Sequence, residues 1–106
     1  MAHGAIIVIG TAATTDEHID ELLTAALAHV RRSRLEPGCI SHGVHRDVED
    51  PNRLVFVEHW ADRAALDAHF AVPDSMQIVE AIGRVGTVPP TLDIYTVGDP
   101  GPSPIG

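Results

Sequence analysis

The sequence predicts an α+β domain in which one antiparallel four-stranded sheet carries helices on one face. Three observations support this fold class. The chain has 106 residues, which suits a single domain with one core. Its apolar positions recur with strand-like periods in some segments and helix-like periods in others. Gly and Pro residues separate these segments. We therefore expect one domain over residues 1–97, followed by a Pro- and Gly-rich tail at residues 98–106.

The composition argues against two classes of partner. The net charge is -8, with seven basic residues against fifteen acids, so the chain would repel a phosphate backbone and no nucleic acid is expected as a partner. No apolar run approaches the roughly 20 residues that cross a bilayer, so no membrane partner is expected. The apolar start lacks the positive charge of a secretory signal, and Cys39 is the single cysteine. These features predict a cytoplasmic protein.

The first two elements are a strand and a long helix. Residues 6–12 are apolar on both alternating faces, which is typical of a strand covered on both sides. Thr14 and Glu17 have capping-box spacing, so we expect the helix to begin there and to end before Pro37 and Gly38. Its buried stripe is predicted to consist of Ile19, Leu22, Leu23, Ala26, Leu27 and Val30.

A hairpin follows, with strands predicted at residues 39–48 and 53–60 around a turn at residues 49–52. Strand alternation places His42 on the face of Ile40 and sends His45 to the opposite face. A metal shared by His42 and His45 is therefore not expected, and no metal is predicted. Glu58 lies on one face of the second strand, and Arg46, across the hairpin, is its candidate ion-pair partner.

Two short helices and a last strand complete the predicted order. The last strand is expected at about residues 91–97. The first of the two helices, at about residues 62–71, has an apolar face ending before Pro73, and the second begins at Asp74 or Ser75. Their inward faces are predicted to carry Ala65, Leu66, His69 and Phe70 in the first helix and Met76, Val79 and Ile82 in the second.

This order of elements is the split βαβ arrangement of a ferredoxin-like sheet. The helices would cover one face of the sheet. The other face would be apolar in the first and third strands, and an exposed apolar patch of that size usually marks an interface. The pattern therefore predicts a homodimer in which two sheets pack face to face as an α+β barrel.

Three short motifs resemble those of the antibiotic biosynthesis monooxygenase family. They are Glu36-Pro-Gly-Cys before the second strand, Glu58-x-Trp at the end of the third strand, and the Ala65-x-x-Ala-His pattern followed by Pro73. The resemblance spans nearly the whole domain. It implies a ferredoxin-like domain that pairs into a dimeric α+β barrel.

The resemblance also implies a chemistry. Enzymes of that family oxidise quinol-like or anthrone-like aromatics with O2 and without a bound flavin, haem or metal, so no cofactor is expected and the expected ligand is a small aromatic molecule. Trp60 matches the tryptophan of the family's third strand, and His69 matches the histidine of the following helix. The resemblance therefore implies that these two residues are catalytic. Imidazole titrates near neutral pH, so His69 can accept a phenolic proton. The candidate substrate-binding residues are Phe56, Leu66, Glu58 and Tyr95.

Other readings stay open on the sequence alone. Trp60 also suits a structural anchor at a strand end, and His69 a buried core histidine. Haem degradation is not expected, because Thr11 stands on the first strand where haem-degrading relatives have an asparagine, and no histidine follows Phe70. A non-oxidative enzyme, such as an isomerase or cyclase, and a non-catalytic dimeric ligand-binding or stress-response module are the alternatives.

Overall fold

The computed structural model describes residues 5–98 as one antiparallel sheet with helices on one face. The elements are β1 (Ala5–Ala13), α1 (Ile19–Ser33), β2 (Cys39–Arg46), β3 (Arg53–Trp60), α2 (Arg63–Ala71), α3 (Met76–Val85) and β4 (Thr91–Val97). The strands follow the order β2-β3-β1-β4, which confirms the predicted α+β ferredoxin-like fold. Apart from Gly98, the predicted tail lies outside the described residues. None of the described helices has the length and apolar character that a membrane span requires.

Two apolar clusters form the core between the sheet and the helices. The first joins α1 and α3 to the sheet around Leu22 and Leu54, and the second contains Ile6, Val8, Trp60 and Leu66. Full burial of each such side chain contributes roughly 1.5–3 kcal/mol. Along β3 the residues facing the helices belong first to one cluster and then to the other, and Glu58 falls between them. A polar site therefore occupies the gap between two apolar regions.

The start of α1 differs from the prediction. The helix begins at Ile19, and Thr14 does not cap it. Instead, the buried Thr14 hydroxyl donates a 2.6 Å hydrogen bond to the carbonyl oxygen of Val85, the last residue of α3. The predicted capping box is wrong because this tertiary acceptor, an otherwise unpaired helix-end carbonyl, takes the hydroxyl.

The buried face of α3 also differs from the prediction. Ile78 and Ala81 are buried, whereas Met76 and Val79 are 51% and 54% exposed. The physical reason is that α3 packs mainly against α1 and stands away from the sheet. Met76 and Val79 therefore line an open space between α3 and the sheet, rather than the core.

A register shift between Cys39 and Ser41 changes the faces at the start of β2. Cys39 pairs with Trp60 and packs against the second apolar cluster, while Ile40 is 57% exposed. The predicted sharing of one face by Ile40 and His42 is therefore wrong, because a bulge adds a residue and reverses the alternation. His42 faces the helices and is buried, whereas His45 is exposed. The predicted divergence of His42 and His45 is confirmed.

Candidate functional site

Three buried histidines from three different elements meet between the sheet and the helices. They are His29 of α1, His42 of β2 and His69 of α2, which are only 6%, 3% and 3% exposed. One ring nitrogen of each lies within 4.8 Å of a ring nitrogen of the other two. The ring centroids are separated by 5.3, 5.2 and 5.6 Å. Of these three histidines, only His69 was predicted from the sequence to take part in chemistry, and the cluster itself was not predicted.

The local periodicity of each element brings these side chains together. His29 lies seven residues after Leu22 and three after Ala26, so it extends the buried stripe of α1. His69 lies three residues after Leu66 on the buried face of α2. His42 is opposite Glu58 in the sheet. The position of His29 on an apolar helical face was the signal that could have identified it.

Glu36, in the loop after α1, holds His69. Its Oε1 lies 2.7 Å from Nδ1 of His69, and the His69 side chain is almost fully buried. A carboxylate oxygen accepts, so His69 Nδ1 donates and carries the proton. In the neutral imidazole, Nε2 then keeps its lone pair for a base or ligand role. This carboxylate and histidine resemble the orienting pair of acyl-transfer enzymes in arrangement, although no role was predicted for Glu36 from the sequence.

Glu58 is a buried carboxylate with two partners. Trp60 Nε1 donates a 2.9 Å hydrogen bond to its Oε1, and His42 Nε2 lies 3.3 Å from the same atom. Burial raises the pKa of Glu58, but the contact with His42 and the hydrogen bond from Trp60 outweigh it, so the net pKa is lowered. Glu58 is therefore a carboxylate at neutral pH. The predicted pairing with Arg46 is wrong, because Arg46 lies opposite Leu54 and donates to the carbonyl of Pro51.

His29 is neutral at physiological pH. Burial, followed by the neighbouring His42 and His69 and then the charge of Arg32, lowers the pKa of His29 to about 4. Arg32 Nη2 lies 3.1 Å from Nδ1 of His29 and also donates to the carbonyl oxygen of Asp74 at 2.9 Å. Since a guanidinium can only donate, Nδ1 of His29 accepts, and its proton is on Nε2.

A half-open cavity of about 700 Å³ lies above these residues, between α3 and the sheet. Its lining includes the predicted residues Phe56, Glu58 and His69, together with His29. The buried polar groups form its floor, and half-exposed apolar side chains form its mouth. The principal apolar lining residues are Phe56, Phe70, Met76, Ile78, Val79, Ile82, Val88 and Leu92. Phe70, predicted to point into the core, is 42% exposed.

Three other predicted site residues are placed elsewhere. Trp60 is fully buried behind His69, with ring centroids 4.7 Å apart, and contacts the site without forming a wall of the cavity. Leu66 packs against Trp60 in the second apolar cluster. Tyr95 pairs with Ile7 and, because residues alternate along a strand, faces away from the helices. The prediction that Tyr95 lines a pocket between the sheet and the helices is therefore wrong, because within the chain its side chain lies on the opposite face of the sheet.

The arrangement offers two kinds of chemistry. The paired His69 and Glu36 present a base at the floor of an apolar cavity. The three histidines together present a set of nitrogen ligands of the kind that binds a transition-metal ion.

Comparisons with known proteins match both the fold and most of the sequence. Residues 5–81, which contain all three histidines, match the family model described as antibiotic biosynthesis monooxygenase. An uncharacterized protein of Synechocystis sp. is 32% identical over 98 residues, covering 92% of this chain and 67% of that protein. A solved structure named antibiotic biosynthesis monooxygenase is 31% identical, with a TM-score of 0.81 and coverage of 89% and 99%. A Deinococcus radiodurans structure with the same name, given provisionally, is 25% identical, with a TM-score of 0.87 and coverage of 92% and 97%.

Proposed function

Because the chain belongs to the antibiotic biosynthesis monooxygenase family, we propose that it oxidises a small aromatic molecule of the quinol or anthrone type with O2. The family and the similar structure named as a monooxygenase support a monooxygenase-type role. The substrate class and the use of O2 are our proposal, and they depend on the cavity and its base.

The observation that carries the proposal is the position of His69 at the floor of the apolar cavity with Glu36 on its Nδ1. Glu36 holds the imidazole in the tautomer whose Nε2 is basic. A phenolic or enolic substrate in the cavity would give its proton to this Nε2. The resulting anion is electron-rich, and it can itself transfer an electron to O2.

The overall reaction balances without a further reductant for an anthrone-like substrate. The CH2 group between two aryl rings becomes a carbonyl group, which takes one oxygen atom from O2. The other oxygen atom leaves as water with the two hydrogens of the CH2 group. The four electrons lost by carbon are the four electrons that O2 accepts.

The cavity suits such a substrate in size and lining. Its volume of about 700 Å³ lies in the range of roughly 300–1,000 Å³ that small-molecule sites occupy. Phe56 and Phe70 offer aromatic faces, and Met76 and Val79 offer adaptable apolar contacts. The net charge of -8 disfavours a polyanionic substrate.

Oxygen consumption tests this function. Purified protein is incubated with a panel of quinols and anthrones in an oxygen electrode, and each product is identified by mass spectrometry after reaction with ¹⁸O2. We expect His69→Gln to lower kcat about 100-fold or more, because it removes a general base. His45→Gln, on the exposed face of β2, is the matched control and should leave kcat unchanged. Absence of uptake across the panel contradicts the proposal, and ligand binding without turnover would instead favour a non-catalytic binding module.

We further propose that a second copy of the chain covers the open face of the sheet. Val57, Tyr95 and Val97 are partly exposed there, beside Ile7 and Ile9 of β1. Such a row of apolar side chains is typical of an interface. Sedimentation equilibrium should give twice the chain mass, and Val57→Glu should yield monomers. A wild-type monomer at micromolar concentration contradicts this assembly.

A further inference from the structure

We propose that His29, His42 and His69 bind one divalent first-row transition-metal ion such as Zn²⁺ or Co²⁺, with a free coordination position facing the cavity. Three histidine ligands and one open position are typical of catalytic metal sites. The inference goes beyond the proposed oxidation, because metal binding requires no substrate and can be measured without one.

The spacing of the rings suits such an ion. A tetrahedral ion about 2.1 Å from three imidazole nitrogens places the ring centroids about 5 Å apart. The three observed separations of 5.2 to 5.6 Å are close to this value. The nitrogens now lie within 4.8 Å of one another, and small rotations of the rings would bring them to the roughly 3.3 Å of a metal site.

His42 has one ring nitrogen, Nδ1, for which no partner is present among the described residues. The His42 side chain is fully buried. Nε2 lies 3.3 Å from Oε1 of Glu58, so Nδ1 is the nitrogen that remains for a ligand. Buried polar groups are rarely left unpaired, so an unpaired imidazole nitrogen in a histidine cluster indicates a missing ligand.

Carboxylates behind the ligands complete the arrangement. Glu36 accepts from Nδ1 of His69, which is the carboxylate–histidine contact that orients metal ligands and makes them more basic. Glu58 lies beside His42. Two guanidinium groups also lie at the cluster, since Arg32 contacts Nδ1 of His29 and Arg34 donates to the backbone carbonyl of His42.

Arg32 competes with the ion for His29. If the ion binds Nε2 of His29, Nδ1 must carry the proton, and the present contact with Arg32 Nη2 must then break. Arg32 would retain its bond to the carbonyl of Asp74. The amide of a glutamine at this position could accept from Nδ1–H instead. We therefore expect Arg32→Gln to bind metal more tightly, by about 10-fold.

A bound ion would be accessible to a substrate. His29 and His69 both line the cavity, so the free position opens between them and the apolar walls. An ion there would lower the pKa of a bound phenol and anchor its oxygen, as metal ions do for bound water. The ion would then take over the role proposed for His69 as a base.

The test is a titration of the full-length protein, stripped with EDTA, with Co²⁺ alone. We expect one Co²⁺ per chain, the intense visible absorption of tetrahedral cobalt, and displacement by Zn²⁺. The expected Kd is about 1 μM or tighter. His42→Gln should weaken binding about 100-fold or more, whereas His45→Gln, three residues away and exposed, should bind like the wild type. Circular dichroism establishes that each variant is folded.

Imidazole proton resonances in the wild-type protein give a second readout that needs no variant to fold. Zn²⁺ should shift the resonances of three histidines out of seven and leave the others in place. Absence of stoichiometric Co²⁺ binding, or equal affinity in His42→Gln, overturns the metal site. Oxygen consumption by stripped and metal-loaded protein tests the oxidation separately, so either proposal can fail without the other.

Discussion

Trp60 Nε1 donates a 2.9 Å hydrogen bond to Oε1 of Glu58. The two buried side chains are two residues apart in β3 and therefore lie on the same face of the sheet. The bond satisfies the one polar atom of the indole and supplies a donor to a carboxylate that has little access to water. The indole then stacks behind His69 at 4.7 Å. Trp60 therefore contacts two members of the candidate site, Glu58 and His69, and we expect it to position both.

Trp60→Phe should destabilise the protein by about 1–3 kcal/mol, because it removes a donor from a buried carboxylate. The pKa of Glu58 should rise, since one of the contacts that lower it is lost. Urea unfolding measures the first effect, and carboxyl NMR titration measures the second. Combining Trp60→Phe with Glu58→Gln should cost less than the sum of the single changes. Additive costs would show that the two side chains are independent.

Glu36→Gln should lower kcat for any aromatic substrate by about 10- to 100-fold, because the amide no longer holds His69 in its basic tautomer with a charge-assisted bond. Steady-state oxygen consumption measures the effect. Glu21→Gln is the control, since Glu21 is half-exposed and pairs with Arg84 on the surface. Equal kcat in the two variants would contradict the role of Glu36.

Thr14→Val should destabilise the protein by about 1–3 kcal/mol, because the carbonyl of Val85 loses its buried donor. The measurement is the midpoint and slope of urea unfolding. Thr24→Val provides the comparison, because the exposed Thr24 hydroxyl bonds only within its own helix. A cost as small as that of Thr24→Val would mean that the tie between Thr14 and α3 contributes nothing.

Gly38→Ala should destabilise the protein for two separable reasons. Gly38 has φ +83°, and a Cβ atom there would lie 2.4 Å from Cβ of Ala65. Adding Ala65→Gly relieves the contact but not the backbone strain, which costs roughly 1 kcal/mol. Gly83→Ala, where a Cβ meets open space within α3, should instead stabilise by about 0.5–1 kcal/mol. Thermal and urea unfolding distinguish these three variants.

The stability of the EDTA-stripped protein should fall as the pH is lowered from about 6.5 to about 4. The folded pKa of His29 is about 4, against 6.5 in the unfolded chain, so the unfolded state binds the additional proton in this window. The free energy of unfolding therefore rises with pH there, by up to about 3 kcal/mol. His42, His69, Arg32 and Glu58 face His29. His29→Gln should flatten this part of the profile, and an unchanged slope would assign it to another group.

The sequence predicted the fold and the strongest helix well, because periodic apolar positions reflect burial directly. It predicted the site only in part. His69 and Phe56 were identified. His29 was missed, because the buried face of its helix was predicted from apolar residues alone. The bulge at Cys39 and the separation of α3 from the sheet depend on packing between segments that are distant in the sequence. A local sequence pattern carries no information about such packing. Thr14 was misassigned for the same reason.

The side chains of β3 alternate between the two faces of the sheet, so neighbouring residues of this strand face opposite sides. Phe56 and Glu58 face the cavity, and Val57 between them faces the uncovered side of the sheet. One peptide group thus separates a side chain at the floor of the cavity from a side chain on the uncovered face of the sheet. A molecule that packs against Val57 would therefore restrict the motion of the cavity floor, so the proposed pairing of two chains and the geometry of the candidate site would be coupled through β3.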